Sequence, residues 1–169
     1  MKKPNPRPSG LPRRLSDNNK RRLRDLPIPN TDELRSKIRY VGSSKHKANP
    51  HLFGLPPYIG ARGDATLCDA HSGFSPTDMQ SVPDMLNRGI RAGLIGENGE
   101  LWTLSDSGWI FECRLTNTAQ WEYHGYPVRG SDAMAELVFQ RFASWTRANG
   151  DSRDEGRVRQ CRALYGFKL

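Results

Sequence analysis

The stretch from Gly108 to Val128 limits what this chain can become more than any other. Trp109, Phe111, Cys113 and Leu115 alternate with Ile110, Glu112, Arg114 and Thr116. A period of two held over that length is a strand with two different faces. Asn117 to Gln120 supplies the turn, and Trp121 to Val128 returns. A lone hairpin is marginal in water, so it must recruit a further strand and a helical layer. Leu101 to Ser105 is predicted as the further strand, turned back by Asp106-Ser107-Gly108.

The rest of the chain supplies helices. Thr31 is predicted to cap a short helix whose Leu34 and Ile38 face the core, with Asp32 and Glu33 at its positive end. Tyr40-Val41-Gly42 reads as a short strand or turn. Ser75-Pro76-Thr77-Asp78 opens a second helix, with Met79, Val82, Leu86 and Ile90 at helical spacing. Pro83 inside it predicts a kink, or a restart capped by Ser81. Ser131 is predicted to cap a helix running to Asn149-Gly150, with Met134, Leu137, Val138, Phe142 and Trp145 as its stripe. Residues 151–169 are basic, and Leu164-Tyr165-Gly166-Phe167 is expected to dock. The expected fold class is α+β: a small antiparallel β-meander of about three to four strands packed against helices. One sheet face would pack on helices and the other would stay partly open.

Charge divides the chain unevenly. Of the formal +8, residues 1–30 carry nine Lys/Arg against two Asp, and residues 31–169 carry seventeen against sixteen. Residues 1–30 are therefore expected to be a disordered basic Pro/Arg-rich arm, and residues 31–169 a single α+β domain. Such an arm attracts phosphate chains through counterion release, or serves as a solvated tail. The three cysteines, Cys68, Cys113 and Cys161, are too few and too widely spaced for a disulfide framework, and point to reduced thiols. No apolar h-region follows the basic start, and no stretch approaches the roughly 20 apolar residues of a membrane helix. The expected setting is cytoplasmic, with no membrane partner.

Two regions can carry chemistry. The first is Lys45-His46-Lys47-Ala48-Asn49-Pro50-His51, inside an irregular, Pro- and Gly-rich stretch from Ser43 to Asp69. Long irregular segments in small domains are often functional. Histidine titrates where an acid or base for RNA cleavage must, and lysines can hold a phosphate. The bland alternative is a solvated loop. The second is the hairpin, where Glu112, Arg114 and Thr116 share a face with either Glu122, His124 and Tyr126 or Trp121 and Tyr123. A one-residue slip of register exchanges the two sets. An open face with an Arg, a His and a hydroxyl suits a phosphodiester, and aromatics there can stack on bases. Cross-strand ion pairs and a packed tyrosine are the alternative. Arg62, in Arg62-Gly63-Asp64, can join a phosphate patch or sit in a surface turn.

Other chemistries are weaker. His46, His51, Cys68 and His71 are conceivable zinc ligands, but the first pair has an unusual spacing. Cys68 beside His71 is a conceivable nucleophile. P-loop, dinucleotide and Gly-x-Ser-x-Gly signatures do not occur.

The run Tyr40-Val41-Gly42-Ser43-Ser44-Lys45-His46-Lys47, followed by Phe53-Gly54, resembles the Lys-His…Phe-Gly stretch of metal-independent ribonuclease toxins. These are the tRNA-cleaving colicins and the wider barnase, colicin and RelE-like group. The resemblance covers fewer than ten residues in sequence and residues 31–128 in pattern. Position by position it reaches Lys45 and His46; Arg114, Thr116 and His124 match the kind of residue such toxins use on strands. That group carries the motif at a helix, whereas Ser43 to Asp69 reads here as loop. The resemblance implies N-terminal helices on a small antiparallel sheet, RNA (tRNA included) as substrate, and an inhibitory antitoxin or immunity protein as partner.

The expected function is that of a metal-independent endoribonuclease of toxin or defence-effector type, needing no cofactor. His46, His124, Arg114 and Thr116 would be catalytic, and Lys45, Lys47, Arg62, Tyr123 and Tyr126 would bind nucleic acid. The alternative is a non-catalytic nucleic-acid-binding or protein-interaction module using the same residues.

Overall fold

The computed structural model describes residues 21–168. It is an α+β structure in which a four-stranded sheet lies between helices. In chain order the elements are α1 (Thr31–Lys37), β1 (Arg39–Tyr40), α2 (Cys68–Ser72), α3 (Val82–Arg91), β2 (Leu101–Leu104), β3 (Ile110–Asn117), β4 (Glu122–Pro127), α4 (Ala133–Asn149) and α5 (Ser152–Tyr165). Between β1 and α2 the chain makes only two short 3-10 turns, Ser44–His46 and Pro50–Phe53.

The sheet order is β1-β4-β3-β2. β2, β3 and β4 form the expected antiparallel meander, but β1 joins β4 in parallel, so the sheet is mixed rather than purely antiparallel. The pairing is held by Arg39 N–H to the Trp121 carbonyl at 3.0 Å and Val41 N–H to the Tyr123 carbonyl at 2.9 Å. Parallel neighbours need a long crossover, and here all of residues 41–121 provide it.

Each sheet face has its own packing. Leu101, Cys113 and Tyr123 cluster with Val82, Leu86 and Ile90 of α3. Gly89 lets α3 lie directly on β2: a Cβ there would come within 2.2 Å of the Trp102 carbonyl oxygen. Trp102, Leu104, Ile110 and Val128 pack with Val138, Phe139 and Phe142 of α4 and Cys161 and Tyr165 of α5. The fully buried Tyr165 accepts from Ile110 N–H at 3.1 Å and donates to the Val128 carbonyl at 2.8 Å. The alternation of β3 therefore does not separate a dry face from a wet one at its start. Residues 110 to 113 are all buried, and the strand opens only from Arg114 onward.

Local signals behave as their chemistry requires. Ser75 and Asp78 form the expected capping box, but over a 3-10 segment, Pro76–Ser81; the helix proper restarts at Val82 with Pro83 in its first turn. Asp132, rather than Ser131, caps α4 by accepting from Met134 N–H at 2.9 Å. Asp151 and Asp154 form a second capping box that starts α5, a helix not expected from sequence.

Residues 1–20 of the predicted arm lie outside the described residues. Residues 21–30, read from sequence as part of that arm, lie against the domain. Arg21 is 4% exposed, Leu23 bridges to Gly96, and Arg24 N–H reaches the Ile95 carbonyl at 2.8 Å. Among the described residues no helix is long and apolar enough to cross a membrane.

Candidate nucleic-acid site

The register of β3 and β4 selects the residues that share a face. Arg114 lies opposite His124 and Glu112 opposite Tyr126, while Leu115 lies opposite Tyr123. So Glu112, Arg114, His124 and Tyr126 stand together, and Tyr123 turns to the α3 side. An irregularity between Leu115 and Asn117 ends the regular pairing, and Thr116 Oγ1 meets His124 Nδ1 at 2.7 Å.

The loop after β1 brings His46 onto this face. Its ring stacks on Tyr126 at 4.6 Å between centroids and faces His124 at 5.6 Å with only 14° between the planes. His46 Nδ1 donates to the Thr66 carbonyl at 2.8 Å. That bond places the proton of the neutral ring on Nδ1 and leaves Nε2 as the acceptor. Burial holds His46 down to about 4 against the Thr66 carbonyl, and the charges of Lys47, Lys45 and a protonated His124 act in the same sense as burial. His124 is also held below its ordinary value, by burial and then by Arg114, Lys47 and Lys45. Both rings are thus proton acceptors, within a positive field that an anion would relieve.

Asp69 and Arg62 fix the loop that carries His46. The Asp69 carboxylate accepts from the N–H groups of Ala48 at 2.8 Å, Asn49 at 2.9 Å and Ala70 at 2.9 Å. Burial works against the charge of Asp69, but these donors outweigh it and hold the carboxyl below its ordinary range. Arg62 donates to the Lys47 carbonyl at 2.8 Å and lies over the Tyr58 ring. As placed, Arg62 braces the loop from behind.

Three expected contacts need correction. Lys47 is 0% exposed; its ammonium donates to Tyr40 Oη at 3.3 Å and lies over the rings of Phe53 and Phe74. His46 ends a 3-10 turn and Lys47 continues in extended backbone, which carries the Lys47 side chain into the interior while His46 meets the open face. Tyr123 is 2% exposed and donates to the Gly99 carbonyl at 3.2 Å, inside the α3 cluster. Neither can touch a ligand from solvent. Arg62 turns its Nη2 to the Ser44 and Lys47 carbonyls and its Nε is buried, so it braces the loop rather than facing the histidines. Lys45, next to His46, is exposed and free of carboxylate partners.

Sequence reasoning placed Glu112 on the Arg114 face of β3 but passed over Arg21 and Asp132 behind it. Glu112, 0% exposed, takes Arg114 Nε and Nη2 at 2.8 Å each on Oε1 and Arg21 Nη1 on Oε2. Arg21 Nη2 in turn lies 2.9 and 3.0 Å from the two oxygens of Asp132. Arg114 Nε also donates to Tyr126 Oη at 3.0 Å. Nothing in a Lys/Arg-rich segment marks one arginine as buried, so Arg21 had no local signal.

The conceivable zinc quartet does not assemble. Cys68 Sγ donates to the Gly125 carbonyl and His71 Nδ1 accepts from Leu67 N–H, and among the described residues no group of three His, Cys, Asp or Glu is placed to hold a metal. A broad cleft of about 780 Å³ lies elsewhere, between α3, the β2–β3 turn and the start of α5. Arg157 there is spent on Asp106 and Asp154, and the lining holds serines and carboxylates but no histidine.

No family model, no curated protein and no solved structure matches this chain. Its chemistry must therefore be argued from the site itself.

Proposed function

We propose that this protein is a metal-independent endoribonuclease that cleaves RNA through the 2′-hydroxyl. The observation that carries the reading is the meeting of His46 and His124, face to face across a sheet surface that also holds Arg114, Thr116 and Tyr126. Two imidazoles a few ångströms apart beside an arginine supply a base, an acid and a phosphate clamp. His46, neutral with Nε2 as its acceptor, takes the 2′-hydroxyl proton as O2′ attacks phosphorus. The P–O5′ bond breaks, and the departing O5′ takes a proton from His124. The products are a 2′,3′-cyclic phosphate and a free 5′-hydroxyl. Arg114 and Lys45 hold the phosphate, whose negative charge offsets the burial and the cations that lower the His124 pKa. Thr116 orients His124 through Nδ1, and Tyr126 supports the His46 ring. The wider reading, a toxin-type effector acting in the cytoplasm and restrained by an antitoxin or immunity protein, rests on the Lys45-His46 resemblance.

Purified protein incubated with total RNA and tRNA in EDTA should give discrete cleavage. His46→Ala and His124→Ala should each lower the rate by at least about 100-fold while RNA affinity changes little. Salt-sensitive RNA binding with no cleavage would instead support a non-catalytic binding module.

A further inference from the structure

We propose that Arg21 is a positioning residue of this site: it holds Glu112, and through Glu112 the guanidinium of Arg114, so that an N-terminal residue sets the geometry around the two histidines. The kinetic consequence rests on the ribonuclease reading; the structural one does not.

Glu112 lies at the centre of the network. A carboxylate with no solvent contact needs partners on both oxygens, or it changes protonation state or conformation. Oε1 is taken by Arg114, and Oε2 by Arg21. The other arm of Arg21 spans to both oxygens of Asp132, the cap of α4. Arg21 is therefore the cation between two buried carboxylates, and it bridges β3 to the start of α4. The Leu23–Gly96 bridge and the Arg24–Ile95 bond hold its backbone in place.

Without Arg21, Glu112 keeps its ion pair with Arg114, and the local charge becomes more negative by one. Arg114 is then drawn inward and its field at the open face is reduced. The Arg114 side chain is 39% exposed, so it can respond. Its Nε bond to Tyr126 Oη, and the stack of Tyr126 on His46, carry the displacement to the reacting groups. Stability alone is a poor explanation for such a network. Buried ion pairs are often no better for stability than apolar residues of the same shape, whereas here the ions end at a half-exposed guanidinium beside two histidines.

The test compares wild type, Arg21→Met and Arg21→Lys by NMR and by RNA cleavage. The NMR readouts are the Arg114 Nε–H resonance and its exchange rate, and the imidazole titrations of His46 and His124. Arg114, Lys45, Lys47, Thr116, Tyr126 and the His46 ring surround His124, and Arg114 is the one coupled to Arg21. In Arg21→Met the Arg114 Nε–H should shift and exchange at least about tenfold faster. His124 should titrate roughly half a pH unit higher, because a positive field is weakened, while His46 moves less. On RNA, kcat should fall about tenfold with KM within about twofold, and Arg21→Lys should recover part of it. Should Arg21→Met fail to fold, Arg21→Lys decides, since it keeps the charge but not the two-pronged reach. An Arg114 Nε–H signal and a His124 titration identical to wild type in a folded variant would overturn the proposal. If wild type does not cleave RNA at all, the ribonuclease reading fails, and the NMR outcome still judges the role of Arg21.

Discussion

His46 is buried and deprotonated where an unfolded chain would hold the same ring at its ordinary value, 6.5, against about 4 in the fold. The unfolded state binds the proton more readily, so stability rises with pH across this window. Folding stability should therefore be full above pH 6.5 and drain away as the pH falls toward 4, by about 3 kcal/mol from this one ring. Urea melts of wild type and His46→Gln at pH 7 and pH 4.5 would isolate it, because His124 and His71, shifted in the same direction, stay in both proteins. Equal pH dependence in the two would refute the assignment. At the same scale Lys47 shows how one residue changes meaning. In sequence it doubles Lys45 as a phosphate ligand; in the fold it is sealed behind Phe53 and Phe74. Lys45→Ala should weaken RNA binding and reduce its salt dependence, whereas Lys47→Ala should act through stability, which a thermal melt would separate from affinity.

Among the elements, the loop from Ser43 to Leu67 is held by side chains rather than by a backbone ladder. Asp69 satisfies two of its N–H donors, Ala48 and Asn49, together with that of Ala70 in α2. Asp69→Ala should cost about 2 kcal/mol by leaving them without that partner. It should also lower cleavage more than His71→Ala does, since the His46 loop loses its anchor. The helices meet the sheet under tighter limits. Gly89→Ala sets a methyl against the Trp102 carbonyl and should destabilise by about 3 kcal/mol in denaturant titration. Tyr165→Phe removes both bonds that tie α5 to β3 and the end of β4, and should cost about 2 kcal/mol without altering the histidine titrations. The turn residues and the β3 alternation made these elements legible in advance. The 14 residues of α5 were not, because its charged composition hides the spacing of Val158, Cys161 and Tyr165.

For the whole molecule, the sheet is covered on both sides except where β3 and β4 extend past α4 and α5, and that end carries the histidines. Residues 1–20 add six Lys/Arg against one Asp, and residue 21 enters the fold directly behind the site. Deleting residues 1–20 should flatten the salt dependence of RNA binding, lowering the log–log slope by up to about 3, with cleavage rates at saturating RNA retained. An unchanged slope would reduce this segment to a tail. The sequence by itself determined what depends on near neighbours: the β2–β3–β4 meander, the Ser75–Asp78 box, the punctuated loop after Tyr40, and the residue types capable of phosphate chemistry. Each is a matter of side-chain period, backbone restriction or a bond within a few residues. Tertiary structure alone decided the parallel docking of β1, the register that chose His124 and Tyr126 over Tyr123, the burial of Lys47, and the use of Arg21 as the counter-ion of Glu112. Those outcomes compare partners far apart in the chain, and their free energy comes from packing and desolvation that no local window contains.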